Sequence, residues 1–223
     1  GIFPAGTDGR LMLFPSRDGF ADVTDLSVTV SPAEEEAGGT PLTFHNPSGS
    51  EWVLELPGTV GATPHALDLA FVIDATGSMG DEMVYVQAEV AAIVEMIQDY
   101  QADLDIRFGL IVYRDEGDEY VTRPFDFTAD LSAFQSDLAD QMASGGGDYP
   151  EAVHTAVEVM NTLSWRQGNV ARVAFFIADA PPHDIYVDDT FAGLDETRSL
   201  GVRLFPVAAS GVADLAEYVM RTM

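Results

Sequence analysis

Residues 67–80 read LDLAFVIDATGSMG: a mainly apolar run over residues 67–73 leads into Asp74 and a short loop that contains two glycines. Similar apolar runs follow later in the chain, with segments of helical periodicity between them; these runs are residues 106–113, 173–178 and 202–207. Apolar strands that alternate with amphipathic helices are typical of a parallel sheet covered on both faces. The pattern therefore predicts an α/β doubly wound fold.

The segments between these runs place apolar residues on one face of a helix. They cover residues 83–97, 131–138 and 153–160, and a further helix-like pattern covers residues 212–223. Pro206 lies inside the last apolar run. Because proline has no N–H to donate to a neighbouring strand, we expect this run to form an edge strand.

The composition changes at residues 58–64, which are rich in glycine, proline and threonine and which we interpret as a linker. Before it, short alternating or β-branched runs are separated by turn residues; these runs are residues 10–14, 26–30 and 51–56. Three or four short strands are few for an independent domain. We predict an incomplete, small β-rich domain over residues 1–60, of which an immunoglobulin-like domain is one form, and a second domain over residues 61–223.

The charge and composition of the chain exclude several classes of function. Acidic residues outnumber basic residues by 37 to 10, which gives a net charge of −27. Such a chain repels nucleic-acid phosphates and anionic lipid headgroups, and it has no apolar run long enough to span a bilayer. All ten basic residues are arginines and cysteine is absent, so lysine and cysteine nucleophiles, disulfides and thiolate metal sites are excluded. We expect neither a nucleic-acid partner nor direct membrane insertion.

Oxygen-bearing side chains follow two of the predicted strands. Asp74, Thr76 and Ser78 lie at alternate positions after the first strand, and Asp179 follows a later one. A glycine-rich segment before a predicted helix supplies a further carboxylate, Asp148. Open α/β sheets bind ligands beyond the carboxyl ends of their strands, and carboxylate and hydroxyl oxygens suit Mg²⁺, Mn²⁺ or Ca²⁺ rather than zinc or copper. The sequence predicts a divalent-cation site at this edge of the sheet.

The second domain resembles a von Willebrand factor type A domain with a metal-ion-dependent adhesion site. Asp74, Thr76 and Ser78 match the family motif Asp-x-Ser/Thr-x-Ser, and Asp179 matches the aspartate that follows the fourth central strand. The resemblance covers about residues 67–223. It implies a Rossmann-like sheet with these residues as metal ligands. A further strand and helix usually complete the sheet in this family, so the resemblance also implies a domain truncated at its C-terminal end.

Asp148 departs from the integrin-like members of the family, which carry a threonine in the glycine-rich loop, and resembles bacterial members instead. The resemblance implies that Asp148 and Asp179 coordinate the cation directly or through water, with Mg²⁺ expected and Ca²⁺ or Mn²⁺ as alternatives. Three aspartates around a divalent ion leave a formal charge of about −1, which weakens its attraction for a partner's carboxylate. Asp115 and Glu151 are expected to surround and restrain these ligands.

Helix capping offers a simpler interpretation of the same residues. Asp74 and Ser78 each have the side-chain type that caps a turn or a helix. Asp148 and Glu151 have the spacing of a capping box, with Pro150 placed in the first turn of a helix. For Asp148, the sequence leaves capping and metal coordination open.

Serine hydrolysis is a second alternative. Residues 76–80 read TGSMG, one glycine short of the Gly-x-Ser-x-Gly turn that presents a nucleophilic serine after a strand. Ser78 would be the nucleophile, and His183 or His154 would be its base. Metal-assisted hydrolysis is the related enzymatic alternative.

By resemblance, we expect a non-enzymatic module that binds another protein, or a cell-surface or matrix component, in a metal-dependent manner. An acidic group of the partner would complete the coordination of the cation. The expected location is extracellular, at the cell surface or in the periplasm. A module in which the cation only ties loops together, without capturing a ligand, is the structural alternative.

Overall fold

The structure is a computed structural model that describes residues 27–30, 42–45, 64–100, 103–147 and 149–209, together with residues 216, 219 and 220. The chain divides into two compact units, Gly1–Gly61 and Ala62–Met223. Within the described residues, no helix has the length and apolar character needed to cross a membrane.

In the first unit, the described residues form two short antiparallel strands, β1 (Ser27–Val30) and β2 (Leu42–His45). β1 corresponds to the predicted run at residues 26–30. The other two predicted strands, residues 10–14 and 51–56, lie outside the described residues. The small β-rich domain over residues 1–60 therefore stays a prediction.

The second unit is a five-stranded mixed sheet with flanking helices. In chain order its described elements are β3 (Ala66–Asp74), α1 (Gly80–Tyr100), β4 (Asp105–Tyr113), β5 (Thr122–Thr128), α2 (Leu131–Ala139), α3 (Val153–Asn161), β6 (Ala171–Ala178), α4 (Val187–Ser199) and β7 (Val202–Ala208). The strand order is β5-β4-β3-β6-β7, in which β5 alone is antiparallel to its neighbour. The predicted α/β sheet is confirmed, and β7 with Pro206 lies at its edge.

The core lies on both faces of the sheet because side chains alternate along each strand. On one face, Leu69 and Phe71 of β3 belong to a buried cluster with residues of α1 and α2, such as Val90 and Phe134. On the other face, Val72 belongs to a second cluster with residues of α3 and α4. This two-sided burial explains why the central strands read as nearly continuous apolar runs.

Two elements of this unit were not predicted from the sequence. β5 contains Pro124 and is only partly buried, as expected of an edge strand with a weak apolar pattern. α4 buries Thr190 and Thr197, whose hydroxyls donate to the backbone carbonyls of Tyr186 and Gly193. Because these buried positions are polar, α4 lacks the apolar stripe that identifies an amphipathic helix.

The parallel strands bring the predicted site residues to one edge. β3 pairs in parallel with β4 and with β6, with Asp74 opposite Tyr113 and Ile73 opposite Ile177. Asp74 is the last residue of β3, and Asp179 directly follows β6. The loops that begin at these strand ends therefore meet beyond the carboxyl edge of the sheet.

Candidate metal centre

The loop after β3 gathers three of the predicted ligands. Asp74 is fully buried, and its Oδ1 accepts hydrogen bonds from the backbone N–H of Thr76 at 2.9 Å and from the Thr76 hydroxyl at 2.7 Å. The Thr76 and Ser78 hydroxyl oxygens lie 3.3 Å apart. Tyr113 donates to the Oδ2 of Asp74 at 3.4 Å. One carboxylate and two hydroxyls are thus grouped at the end of the strand.

Backbone hydrogen bonds join this loop to the glycine-rich segment that precedes α3, residues 144–147. The N–H of Gly77 donates to the carbonyl of Gly145 at 3.0 Å, and the N–H of Ser144 donates to the carbonyl of Ala75 at 2.9 Å. Gly145 and Gly146 have φ values of 83° and 70°, a region that disfavours residues with a Cβ. The glycines therefore allow the segment to approach the loop after β3 closely.

Asp179 contributes a second buried carboxylate to this edge. Its side chain is 6% exposed, and its Oδ1 is buried without a hydrogen-bond partner. The hydroxyl of Tyr149 donates to the backbone carbonyl of Asp179 at 3.1 Å, which connects the glycine-rich segment to the end of β6. A buried carboxylate oxygen without a donor is costly, and a bound cation would satisfy it.

Glu151 is the third buried carboxylate, and it does not act as the predicted cap. α3 begins at Val153 and its N-terminal capping residue is Ala152, which makes no side-chain capping bond. Glu151 instead forms a β-bridge with Pro182, and its Oε2 is buried without a hydrogen-bond partner. The predicted capping box, with Pro150 in the first helical turn, is therefore wrong for Glu151, because the helix begins later. Asp148 lies outside the described residues, so its role stays a prediction.

Burial and mutual repulsion shift the pKa values of these carboxyl groups. Burial, followed by the charge of Asp179, raises the pKa of Asp74 to about 7, although hydrogen bonds from Thr76 oppose the shift. Burial and the charges of Asp74, Asp115 and Asp118 raise the pKa of Glu151 to about 9. In the described part of the chain, neither carboxylate forms an ion pair with a cationic side chain. Ionising these carboxyl groups is therefore costly in the absence of a counter-charge.

These observations fit a divalent cation. The donors are hard oxygens, and two buried carboxylate atoms, Asp179 Oδ1 and Glu151 Oε2, have no partner. No group of three or more His, Asp or Glu side chains among the described residues has the geometry of a metal site. The candidate ligand set does not depend on such a group, because half of its described members are hydroxyls. Asp74, Thr76, Ser78 and Asp179 are the described residues that would hold the cation.

Asp115 lies near the site but contacts a histidine. It is 4% exposed, and its Oδ1 lies 2.7 Å from the Nε2 of His183, in the loop after β6. Its backbone N–H donates to Asp118, whose carboxylate also accepts from the N–H of Gly146. Sequence reasoning missed Asp118, because its segment, residues 115–119 (DEGDE), reads like any solvated acidic loop.

The contacts of Ser78 do not match the serine-hydrolase alternative. Its hydroxyl is paired with that of Thr76. His183 is bound to Asp115, and the Nε2 of His154 lies 3.1 Å from the hydroxyl of Thr155. Neither histidine is in hydrogen-bond contact with Ser78 among the described residues, so neither predicted base is positioned to activate it.

Several known proteins contain a region that is similar in sequence to this part of the chain. The alpha-protein kinase vwkA of Dictyostelium discoideum is 32% identical over 118 residues, which cover 52% of this chain and 19% of that protein. Mouse hemicentin-2 is 35% identical over 101 residues, or 44% of this chain and 2% of that protein. The chain therefore spans only a small part of the length of these relatives.

A solved structure, that of the conserved hypothetical protein BatB from Bacteroides thetaiotaomicron, matches 64% of this chain and 66% of its own at a TM-score of 0.49 and 16% identity. A sequence model described as the von Willebrand factor A domain matches residues 68–210, which is more than half of the chain. The matched region begins at the third residue of β3 and ends just after β7, so it contains the rest of the five-stranded sheet. The chain belongs to the von Willebrand factor A domain family.

Proposed function

We propose that this chain is a non-enzymatic module that binds a protein partner through a divalent cation held at the carboxyl edge of the sheet. The observation that carries the proposal is the pair of buried carboxylate oxygens without hydrogen-bond partners, Asp179 Oδ1 and Glu151 Oε2. Asp179 follows β6 at the same edge of the sheet at which β3 ends and the hydroxyls of Thr76 and Ser78 are grouped. A buried anionic cluster of this kind gains most from a cation.

In this proposal each residue has a separate task. Asp74 and Asp179 supply negative charge, and Asp74 also holds the Thr76 hydroxyl in place through its hydrogen bond. Ser78 is exposed, so it marks the side from which a partner approaches. The bound cation, with Mg²⁺ proposed first and Ca²⁺ or Mn²⁺ as alternatives, would supply a positive charge that attracts an acidic group of the partner. Asp148 is proposed as a further ligand.

The relatives are compatible with a binding module but do not decide its partner. The family domain occurs in proteins as different as a kinase and hemicentin-2, and the matched region is a small fraction of each. The shared domain is thus separable from the rest of those proteins. We propose a protein or a cell-surface or matrix component as the partner and a location outside the cytoplasm.

A metal-stabilised structural module is the second candidate. The raised pKa values of Asp74 and Glu151 favour it, because neutralising that repulsion would stabilise the fold even if no partner were captured. Under this alternative, removal of the cation would destabilise the loops, and no binding to a partner would be lost.

The two candidates are separated by binding to an immobilised panel of matrix and cell-surface proteins, measured in Mg²⁺, in Mn²⁺ and in a chelator. We expect at least one saturable interaction that requires the cation and is lost in Asp74→Asn. Asp81→Asn, which removes an exposed carboxylate from the first turn of α1, is the matched control and should bind like the wild type. Cation-dependent stability without cation-dependent binding would favour the structural module.

A further inference from the structure

The loop between β4 and β5 carries a carboxylate that binds the glycine-rich segment. The Oδ2 of Asp118 accepts a hydrogen bond from the backbone N–H of Gly146 at 2.9 Å and another from the N–H of Asp115 at 3.2 Å. The first bond joins residues that are 28 positions apart in the chain. Asp118 therefore connects two loops that the sequence does not place together.

Gly145 is shaped to receive this carboxylate. A Cβ built on Gly145 would overlap all three atoms of the Asp118 carboxyl group, and the φ of 83° at Gly145 independently disfavours a side chain. Because the glycine has no side chain, the carboxylate lies directly against the backbone of the segment. A side chain at position 145 would therefore displace the carboxyl group of Asp118.

The same segment is also hydrogen-bonded to the loop after β3. The carbonyl of Gly145 accepts the hydrogen bond from Gly77, which lies between the candidate ligands Thr76 and Ser78. Asp115, the second residue bound to Asp118, contacts His183 in the loop that carries Asp179. Asp118 thus sits between the two loops that hold the described ligands.

We propose that Asp118 is a positioning residue for the cation: it fixes the glycine-rich segment against the loop after β3 and so holds the hydroxyl ligands ready for binding. The inference rests on the proposed function. Residues that orient metal ligands through hydrogen bonds commonly change metal affinity about 10-fold to 100-fold when they are removed. Asp118 does so through the backbone and has no contact with Asp74, Thr76 or Ser78 among the described hydrogen bonds.

The competing explanation is that Asp118 merely adds negative charge. Asp118→Asn distinguishes the two, because an amide oxygen can accept the same two N–H groups while the charge is lost. Asp118→Ala loses both the charge and the acceptor. Glu119→Ala is the matched control for charge: Glu119 is the next residue, its side chain is 78% exposed, and its ion pair is a 3.7 Å contact with Arg114.

The test uses the full chain and two readouts. Calorimetric titration with Mg²⁺ and Mn²⁺ alone should give an affinity about 10-fold lower for Asp118→Ala, and within about 3-fold of wild type for Asp118→Asn and Glu119→Ala. Amide hydrogen exchange of the metal-free protein should be faster at Gly146 and Gly77 in Asp118→Ala only. Amide exchange elsewhere in the sheet should match that of the wild type, and this match would show that Asp118→Ala folds.

Each result has a distinct meaning. Equal losses of affinity in all three variants would overturn the positioning role in favour of simple charge. Unchanged exchange at Gly146 in Asp118→Ala would overturn it as well, whatever the affinity. If the wild-type protein bound neither ion, the proposed function would fail together with the effect on affinity, while the exchange rates would still decide whether Asp118 fixes the segment.

Discussion

Asp68 and Asp74 lie on the same strand, β3, and both are fully buried, yet their surroundings are opposite. Asp68 accepts hydrogen bonds from the guanidinium of Arg107 at 2.9 and 2.8 Å. It also accepts from Arg166, through Nε and through the backbone N–H, both at 2.7 Å. Among the described residues, Asp74 accepts only from Thr76 and, at a longer distance, from Tyr113.

The pKa values of the two carboxyl groups diverge accordingly. Burial raises the pKa of Asp68, but the hydrogen bonds and charges of Arg107 and Arg166 outweigh burial and bring it below its usual value. For Asp74, burial dominates and the pKa rises to about 7. The amino end of β3 thus carries its own counter-charges, whereas the carboxyl end is electrostatically incomplete. This difference is the physical basis for placing a cation at the carboxyl end.

The largest effect is expected at the amino end. Asp68→Ala leaves Arg107 and Arg166 without their shared acceptor and should lower the free energy of unfolding by about 3 kcal/mol. Urea denaturation at pH 7 measures it. Asp105→Ala removes the more exposed partner of Arg166 and should cost less than about 1 kcal/mol. Equal losses of stability in Asp68→Ala and Asp105→Ala would contradict the distinction between a buried and an exposed partner of Arg166.

A smaller effect of opposite sign is expected at the carboxyl end. Because the pKa of Asp74 is raised when folded, the folded state holds its proton more tightly, and metal-free stability falls as the pH rises from about 4 to about 7. Asp74→Asn removes this ionisable group, so it should raise the metal-free free energy of unfolding at pH 8 and change it little at pH 4. Denaturation at both pH values checks this. If Asp74→Asn instead lowered the free energy of unfolding at pH 8, contacts within the chain would be stabilising the charge of Asp74.

The pH dependence at the amino end should run the other way. The pKa of Asp68 is lowered in the folded state, so its contribution is present above the usual value of 3.8 and is lost as the pH falls through the lower, folded value. The stability difference between wild type and Asp68→Asn should shrink as the pH falls below about 4. A difference that stays constant from pH 7 to pH 3 would argue against the ion pairs as its source.

The smallest effect concerns the geometry of the arginine pairing. Arg107→Lys keeps the charge but loses the two parallel bonds to Asp68, and it should lower the free energy of unfolding by about 1 kcal/mol. Arg166 remains to pair with Asp68, which limits the loss. Urea denaturation of the wild type and of Arg107→Lys measures the difference. A cost as large as that of Asp68→Ala would mean that the pairing depends on Arg107 alone.

The two ends of β3 also differ in how far the sequence predicts them. The loop after β3 is local: Asp74, Thr76 and Ser78 lie within five residues, so their spacing alone predicts that they converge. The pairing of Asp68 depends on arginines 39 and 98 positions away. The register of β3 with β4 places Arg107 opposite Asp68, and the segment between α3 and β6 brings Arg166 to it, so no local pattern reveals either residue.

The strands and helices of this unit likewise divide into those that a local sequence pattern predicts and those that depend on distant contacts. The buried parallel strands are predictable because continuous apolar runs reflect burial on both faces. β5 and α4 are not, because their patterns are broken by Pro124 and by buried threonines whose hydroxyls find backbone acceptors only in the fold. Asp118 likewise differs from its acidic neighbours only through its distant contact with Gly146.

The most direct test of the central claim is calorimetric titration of the chelator-stripped protein with Mg²⁺, Mn²⁺ and Ca²⁺, at moderate salt that screens the acidic surface. The account predicts saturable binding at one site in the wild type and in Asp81→Asn, and an affinity at least 10-fold lower in Asp74→Asn. Weak, salt-sensitive binding that is equal in all three proteins would contradict a cation site at the carboxyl edge of the sheet.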